Sequence, residues 1–181
     1  MDTQGILLIS HGQFEKEFLE NIANDVAREF LLPVSIENSN INLDAFYDSA
    51  RRQYDGNRLL KHTELASPSP FLIKIGLFRV DLFIPILTYI FGQATLNGNA
   101  GIASLYRLKN ELYGMEKDNE LLVGRFKKVI IHELGHTFGL LHCHTPTCVM
   151  RSSTYVEDLD QKSSHFCTKC RDEIERLKSG F

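Results

Sequence analysis

The chain has 181 residues, of which 43% are hydrophobic and 24% charged, with a formal net charge of −3. That balance suits one soluble globular domain with a single core. It speaks against a non-specific nucleic-acid surface, and no apolar run approaches the roughly 18 residues needed to cross a membrane. The first residues, Met1-Asp2-Thr3-Gln4, lack the basic region of a secretory signal. The cytoplasm is therefore the expected compartment, where thiols stay reduced.

Gly5 to Ser10 is a short apolar run that reads as a strand. Phe14, Phe18, Ile22, Val26 and Phe30 then recur every fourth residue and mark an amphipathic helix. Val34 to Glu37 reads as a second strand and Asn57 to Ala66 as a short helix. Ser67-Pro68-Ser69-Pro70 reads as a loop leading to a strand over Phe71 to Leu77. Shorter strands are expected at Leu82 to Ile84 and Tyr89 to Phe91, around Pro85. Asn97-Gly98-Asn99-Ala100-Gly101 is a predicted turn before Ile102 to Leu108. His11, after the first strand, and His62, in a charged segment, read as surface residues.

A long helix is expected from about Asn119 to Leu141, capped by Asp118 or Asn119. Its apolar residues Leu122, Val123, Phe126, Val129, Ile130, Leu134, Phe138 and Leu141 recur near a 3.6-residue period. Glu173, Glu175, Arg176 and Lys178 read as the exposed face of a closing helix.

The long helix carries the chemistry. His132-Glu133-Leu134-Gly135-His136-Thr137-Phe138-Gly139-Leu140-Leu141-His142 fits H-E-x-x-H-x-x-G-x-x-H, a zinc-site pattern. Residues four apart share a helix face, so His132 and His136 can offer their rings to one ion. Glu133, turned about 100° around the helix, can reach the metal's water without ligating the metal. Three neutral imidazoles leave one tetrahedral position open, as in a catalytic site. A straight helix would carry His142 about 9 Å along the axis from His136, too far to share an ion. Gly139 can enter left-handed backbone geometry at little cost and turn the chain back. The alternative is a helix with three incidental histidines and a glycine cap.

Cys143, Cys148, Cys167 and Cys170 are the only cysteines, spaced C-x4-C and C-x2-C. Both spacings occur in structural zinc sites, and four thiolates would close the coordination shell. Two disulfides are the competing reading. His144 and His165 flank the cysteines as substitute ligands, and Tyr155 offers a hydroxyl either to an oxyanion or to the structure.

The histidine motif, Cys143, Cys148-Val149-Met150 and Cys167-Thr168-Lys169-Cys170 together resemble the archaemetzincins, a branch of the metzincin zinc metallopeptidases. The spacer Arg151 to Phe166 is one residue shorter than the family's. Asp44 to Tyr54, Val80 to Pro85 and Phe91-Gly92-Gln93-Ala94 also look like family segments. The resemblance implies an α+β fold: a compact zincin-like, metzincin-type domain with a twisted mixed sheet, an active-site helix and a small zinc-stapled C-terminal segment. It implies one metallopeptidase domain over 1–181, with sheet and active-site helix in 1–139. The third histidine ligand, the turn carrying Met150 and the cysteine site would lie in 140–181. Two zinc ions are implied, one catalytic at His132, His136 and His142, the other structural at Cys143, Cys148, Cys167 and Cys170. Gly101 to Arg107 is, by the same resemblance, the expected edge strand for a peptide substrate.

The expected activity is hydrolysis of peptide bonds by zinc-bound water, with Glu133 as the catalytic residue. A peptide or protein is the expected partner, without nucleic acid or membrane, for a monomeric chain. The rival reading is a zinc-loaded peptide-binding module with little or no hydrolysis, although a pure binder has no chemical need for Glu133.

Overall fold

The apolar run at the start of the chain becomes β1 (Gly5–His11), buried at every position as a strand covered on both faces must be. In the computed structural model, residues 5–66 and 72–179 are described. The loop expected at Ser67 to Pro70, the first residue of the strand expected from Phe71 and the chain start at Met1 to Gln4 lie outside them. β1 pairs in parallel with β2 (Val34–Ser39) on one side and β5 (Leu72–Phe78) on the other. β5 pairs in parallel with β9 (Ala100–Ser104), and the short β8 (Gly92–Ala94) closes the row antiparallel to β9. The sheet order is β2-β1-β5-β9-β8.

This order corrects one expectation. The segment beginning at Gly101 is not an edge, because β9 lies between β5 and β8 and is wholly buried. The edge is β8. The chain after Ser104 leaves the sheet as a short 3-10 turn at Tyr106–Leu108.

Helices cover both faces. α1 (Lys16–Phe30) buries Leu19, Ile22, Val26 and Phe30; of the repeat read in the sequence, Ile22, Val26 and Phe30 are buried, Phe18 is half-buried and Phe14 precedes the helix. It joins α3 (Asn119–Thr137) in one core, to which Phe126, Val129, Ile130, Leu134 and Phe138 contribute. Leu141 stands 68% exposed, because the helix has already ended. α2 (Gly56–Leu65) covers the other face, where Leu59 packs with Phe78, Leu82, Ile90 and Ile102. Leu82 and Ile90 of that cluster belong to a four-stranded sheet formed by β3 (Tyr47–Asp48), β4 (Gln53–Asp55), β6 (Leu82–Ile84) and β7 (Leu87–Ile90), in the order β3-β4-β6-β7. Two further helices, α4 (Val156–Gln161) and α5 (Thr168–Lys178), complete the C-terminal segment. No helix among the described residues is long and apolar enough to cross a membrane.

His11 is the second correction. It is the last residue of β1 and is buried, its ring stacked on Phe78 with centroids 4.6 Å apart. Burial, helped by the neighbouring His62, lowers its pKa to about 4. The unfolded chain therefore takes the proton more readily between pH 6.5 and 4. The stability contributed by neutral His11 is complete above that window and is lost as pH falls through it. His11→Phe is expected to shrink the stability lost between pH 6.5 and 4.5 by roughly 2 kcal/mol. Urea unfolding at the two pH values measures this, and equal losses in both proteins would rule the histidine out as the source.

Candidate active site

The first turn of α3 is held by Asp118, whose carboxylate accepts the Leu121 N–H at 2.9 Å. At the other end, Gly139 takes a φ of +102°. Its N–H donates to His136 O, and the Leu140 N–H donates to Gly135 O, both at 2.9 Å. This paired bonding is a Schellman motif, which satisfies the last carbonyls of the helix and reverses the chain. The reversal carries the Leu140 carbonyl to His136 Nδ1 at 2.7 Å. His132 Nδ1 meets Val149 O at 2.8 Å in the same way.

A carbonyl can only accept, so both Nδ1 atoms carry the proton, and each Nε2 presents a lone pair. The two Nε2 atoms face each other at 3.1 Å. The His142 ring centroid stands 5.2 Å from that of His132 and 4.9 Å from that of His136. The three potential ligand atoms lie within 4.8 Å of one another. Desolvation by burial lowers the proton affinity of all three rings, so they stay neutral, as a metal requires. Donor type, tautomer and spacing all fit a zinc ion. His132 is buried, His136 half-buried and His142 exposed, so the cluster opens to solvent on the His142 side.

Glu133 is buried beside the cluster, and burial pushes its pKa up to about 8 against the pull of the Lys162 ammonium. Its side chain packs on the backbone of β8. A Cβ added to Gly92 would lie 2.7 Å from Glu133 Cγ, so only glycine lets strand and carboxylate approach this closely. A cleft of about 520 Å³ runs over these groups. β7 and β8 form its upper wall, residues 152–155 its lower rim, and Val129, Leu159 and Lys162 line it as well. Tyr89 Oη donates to Thr154 O at 2.9 Å and joins the two rims. Tyr155 lies on the lower rim, 63% exposed.

The four cysteines converge separately, with all four sulfurs within 4.8 Å of one another and no disulfide among them. The sulfurs of Cys143 and Cys167 lie 3.8 Å apart. His144 is exposed and outside the cluster. His165 Nδ1 instead pairs with Glu29 at 2.8 Å. Met150 is fully buried beneath α3, against Gly135, where an added Cβ would overlap its sulfur. The Cys143 N–H donates to Met150 O at 2.9 Å, so the turn with Met150 and the cysteine cluster share a backbone bond.

Two features of the site were missed from sequence. β8 is too short, at three residues, to show a strand period. Lys162 sits in a polar spacer with nothing local to mark it, yet it is buried and donates to the carbonyls of Val149 at 2.9 Å and Arg151 at 2.6 Å.

Residues 12–176 match the model of peptidase family M54. The chain is 36% identical to the archaemetzincin of Sulfolobus acidocaldarius over 163 residues, covering 86% of this chain and 90% of that one. Among solved structures it resembles a zinc-dependent peptidase from Methanocorpusculum labreanum, with a TM-score of 0.86 and 27% identity over 94% of this chain and 100% of that one. The archaemetzincin of Methanopyrus kandleri gives a TM-score of 0.85 and 29% identity, covering 98% and 97%. The chain thus belongs to peptidase family M54, the archaemetzincins, and is a zinc-dependent metallopeptidase.

Proposed function

We propose that the chain cleaves peptide bonds at one zinc held by His132, His136 and His142, with Glu133 as general base and then general acid. The observation that carries this reading is the convergence of three neutral imidazoles next to a buried carboxyl in one open cleft. A second, structural zinc belongs to Cys143, Cys148, Cys167 and Cys170, whose four sulfurs would leave it no open position. The chain works as one domain, in which 1–139 supplies the upper wall and 140–181 the floor.

Bound at the histidines, zinc supplies the Lewis acidity that polarises a carbonyl and makes water acidic near neutral pH. Glu133 takes a proton from the attacking water as the new C–O bond forms. It returns that proton to the amine as the C–N bond breaks. Burial raises the proton affinity of the Glu133 carboxyl, which favours its holding the proton between the two transfers.

The substrate backbone pairs with β8. Phe91 O accepts from Ser104 N–H and Thr95 N–H donates to Ala100 O, so these groups point inward to β9. Strand alternation then turns the backbone groups of Gly92 and Ala94 outward to the cleft, where an extended peptide can add as a strand.

Glu133→Ala is expected to keep its zinc and lose about 10²–10⁴-fold in kcat. Zinc content and cleavage of a diverse peptide library check this together, and an active variant would overturn the assignment. The two centres are also coupled, because His142 and Cys143 are adjacent and Cys143 holds Met150. The double variant Cys167→Ser, Cys170→Ser should weaken zinc at the histidines by roughly tenfold or more, as read by chelator competition. Unchanged affinity there would sink the coupling.

A further inference from the structure

A buried ammonium beside a metal centre calls for an explanation. Leaving water is costly for a cation, and its charge opposes a metal ion nearby. Lys162 is 4% exposed, stands at the end of α4 and lines the cleft. Its Nζ reaches the carbonyls of Val149 and Arg151, which bracket Met150. Val149 O also takes the Nδ1–H of His132 at 2.8 Å. One oxygen, with its two lone pairs, is thus shared by a histidine of the cluster and a lysine thirty residues further along the chain.

We infer that Lys162 is a positioning residue of the metal centre: it pins the turn carrying Met150 so that Val149 O holds the His132 ring with Nε2 facing His136 and His142. This rests on the reading of His132 as a metal ligand. Charge-assisted bonds to carbonyls are stronger than neutral ones. Two of them, to residues two apart, fix both position and tilt of the intervening turn. A histidine ligand is oriented by what its other nitrogen touches, and losing such outer partners costs about 10–100-fold in metal affinity or activity. The lysine acts one step further out, by fixing the acceptor rather than the ring. An arginine can donate to the same two carbonyls, and a methionine can fill the space but donate to neither.

The test uses the full chain with ¹⁵N-labelled histidine, with and without zinc. In the wild type, the His132 Nδ1–H is expected to be protected from solvent exchange even without metal. Lys162→Met should raise its exchange rate at least about tenfold, lower kcat by a similar factor and leave KM within about threefold. Lys162→Arg should restore both the protection and kcat. Circular dichroism and the urea midpoint certify folding, and Lys162→Leu, which likewise donates to neither carbonyl, replaces the methionine variant if that one does not fold. Unchanged protection in the methionine or leucine variant would overturn the proposal. So would tighter zinc binding without loss of kcat, which marks the lysine as a mere repelling charge. Addition of zinc should shift the His132 Nε2 resonance in the wild type. Absence of that shift faults the ligand assignment itself, independently of how the lysine variants behave.

Discussion

The reversal of the backbone at Gly139 is the constraint on which the catalytic half of the molecule depends. An α-helix can aim two imidazoles at one point, but its rise carries a third out of range. By adopting a φ of +102°, Gly139 sends the chain back under its own helix and brings His142 to the rings of His132 and His136. The same reversal delivers the Leu140 carbonyl that sets the tautomer of His136. One glycine thus settles both the third ring's place and the second ring's lone pair.

The segment below the helix buries Val149, Met150, Val156, Leu159, Phe166 and Ile174 in the common core and is further fastened by long-range polar ties. Arg125 of α3 is buried and forms a two-pronged pair with Asp160 of α4, and it also donates to Leu108 O. Glu29, near the end of α1, accepts the Phe166 N–H and pairs with Arg171. Those two residues sit immediately before Cys167 and immediately after Cys170, so one carboxylate from the first helix brackets the second cysteine pair. Both buried ions have their hydrogen bonds met, which limits the cost of desolvating them.

The parts of this architecture legible in the sequence are those whose signal is local. The four-residue spacing of Phe18, Ile22, Val26 and Phe30, the cap at Asp118 and the histidine-glycine spacing each act within a turn or two, and each appears where expected, although Phe14 falls just before the helix. Strand order is set by pairing between distant residues, such as Ile75 with Gly101. A short segment at Ala100 to Ser104 carries no mark of being central rather than edge, so the edge strand was misplaced by one position. His11 was misread for a related reason: its neighbours in sequence are polar, but Phe78, the residue it stacks on, arrives from another strand. The three-residue β8 and Lys162 matter only through partners brought to them by the fold.

The contact between Gly92 and Glu133 has a mechanical consequence. The strand proposed to grip the substrate and the carboxyl proposed to move its protons touch without any side chain between them. No side chain fits at position 92 between this strand and the Glu133 carboxyl. Under the proposed mechanism, the place a peptide takes on β8 therefore also fixes how it stands relative to the Glu133 carboxyl.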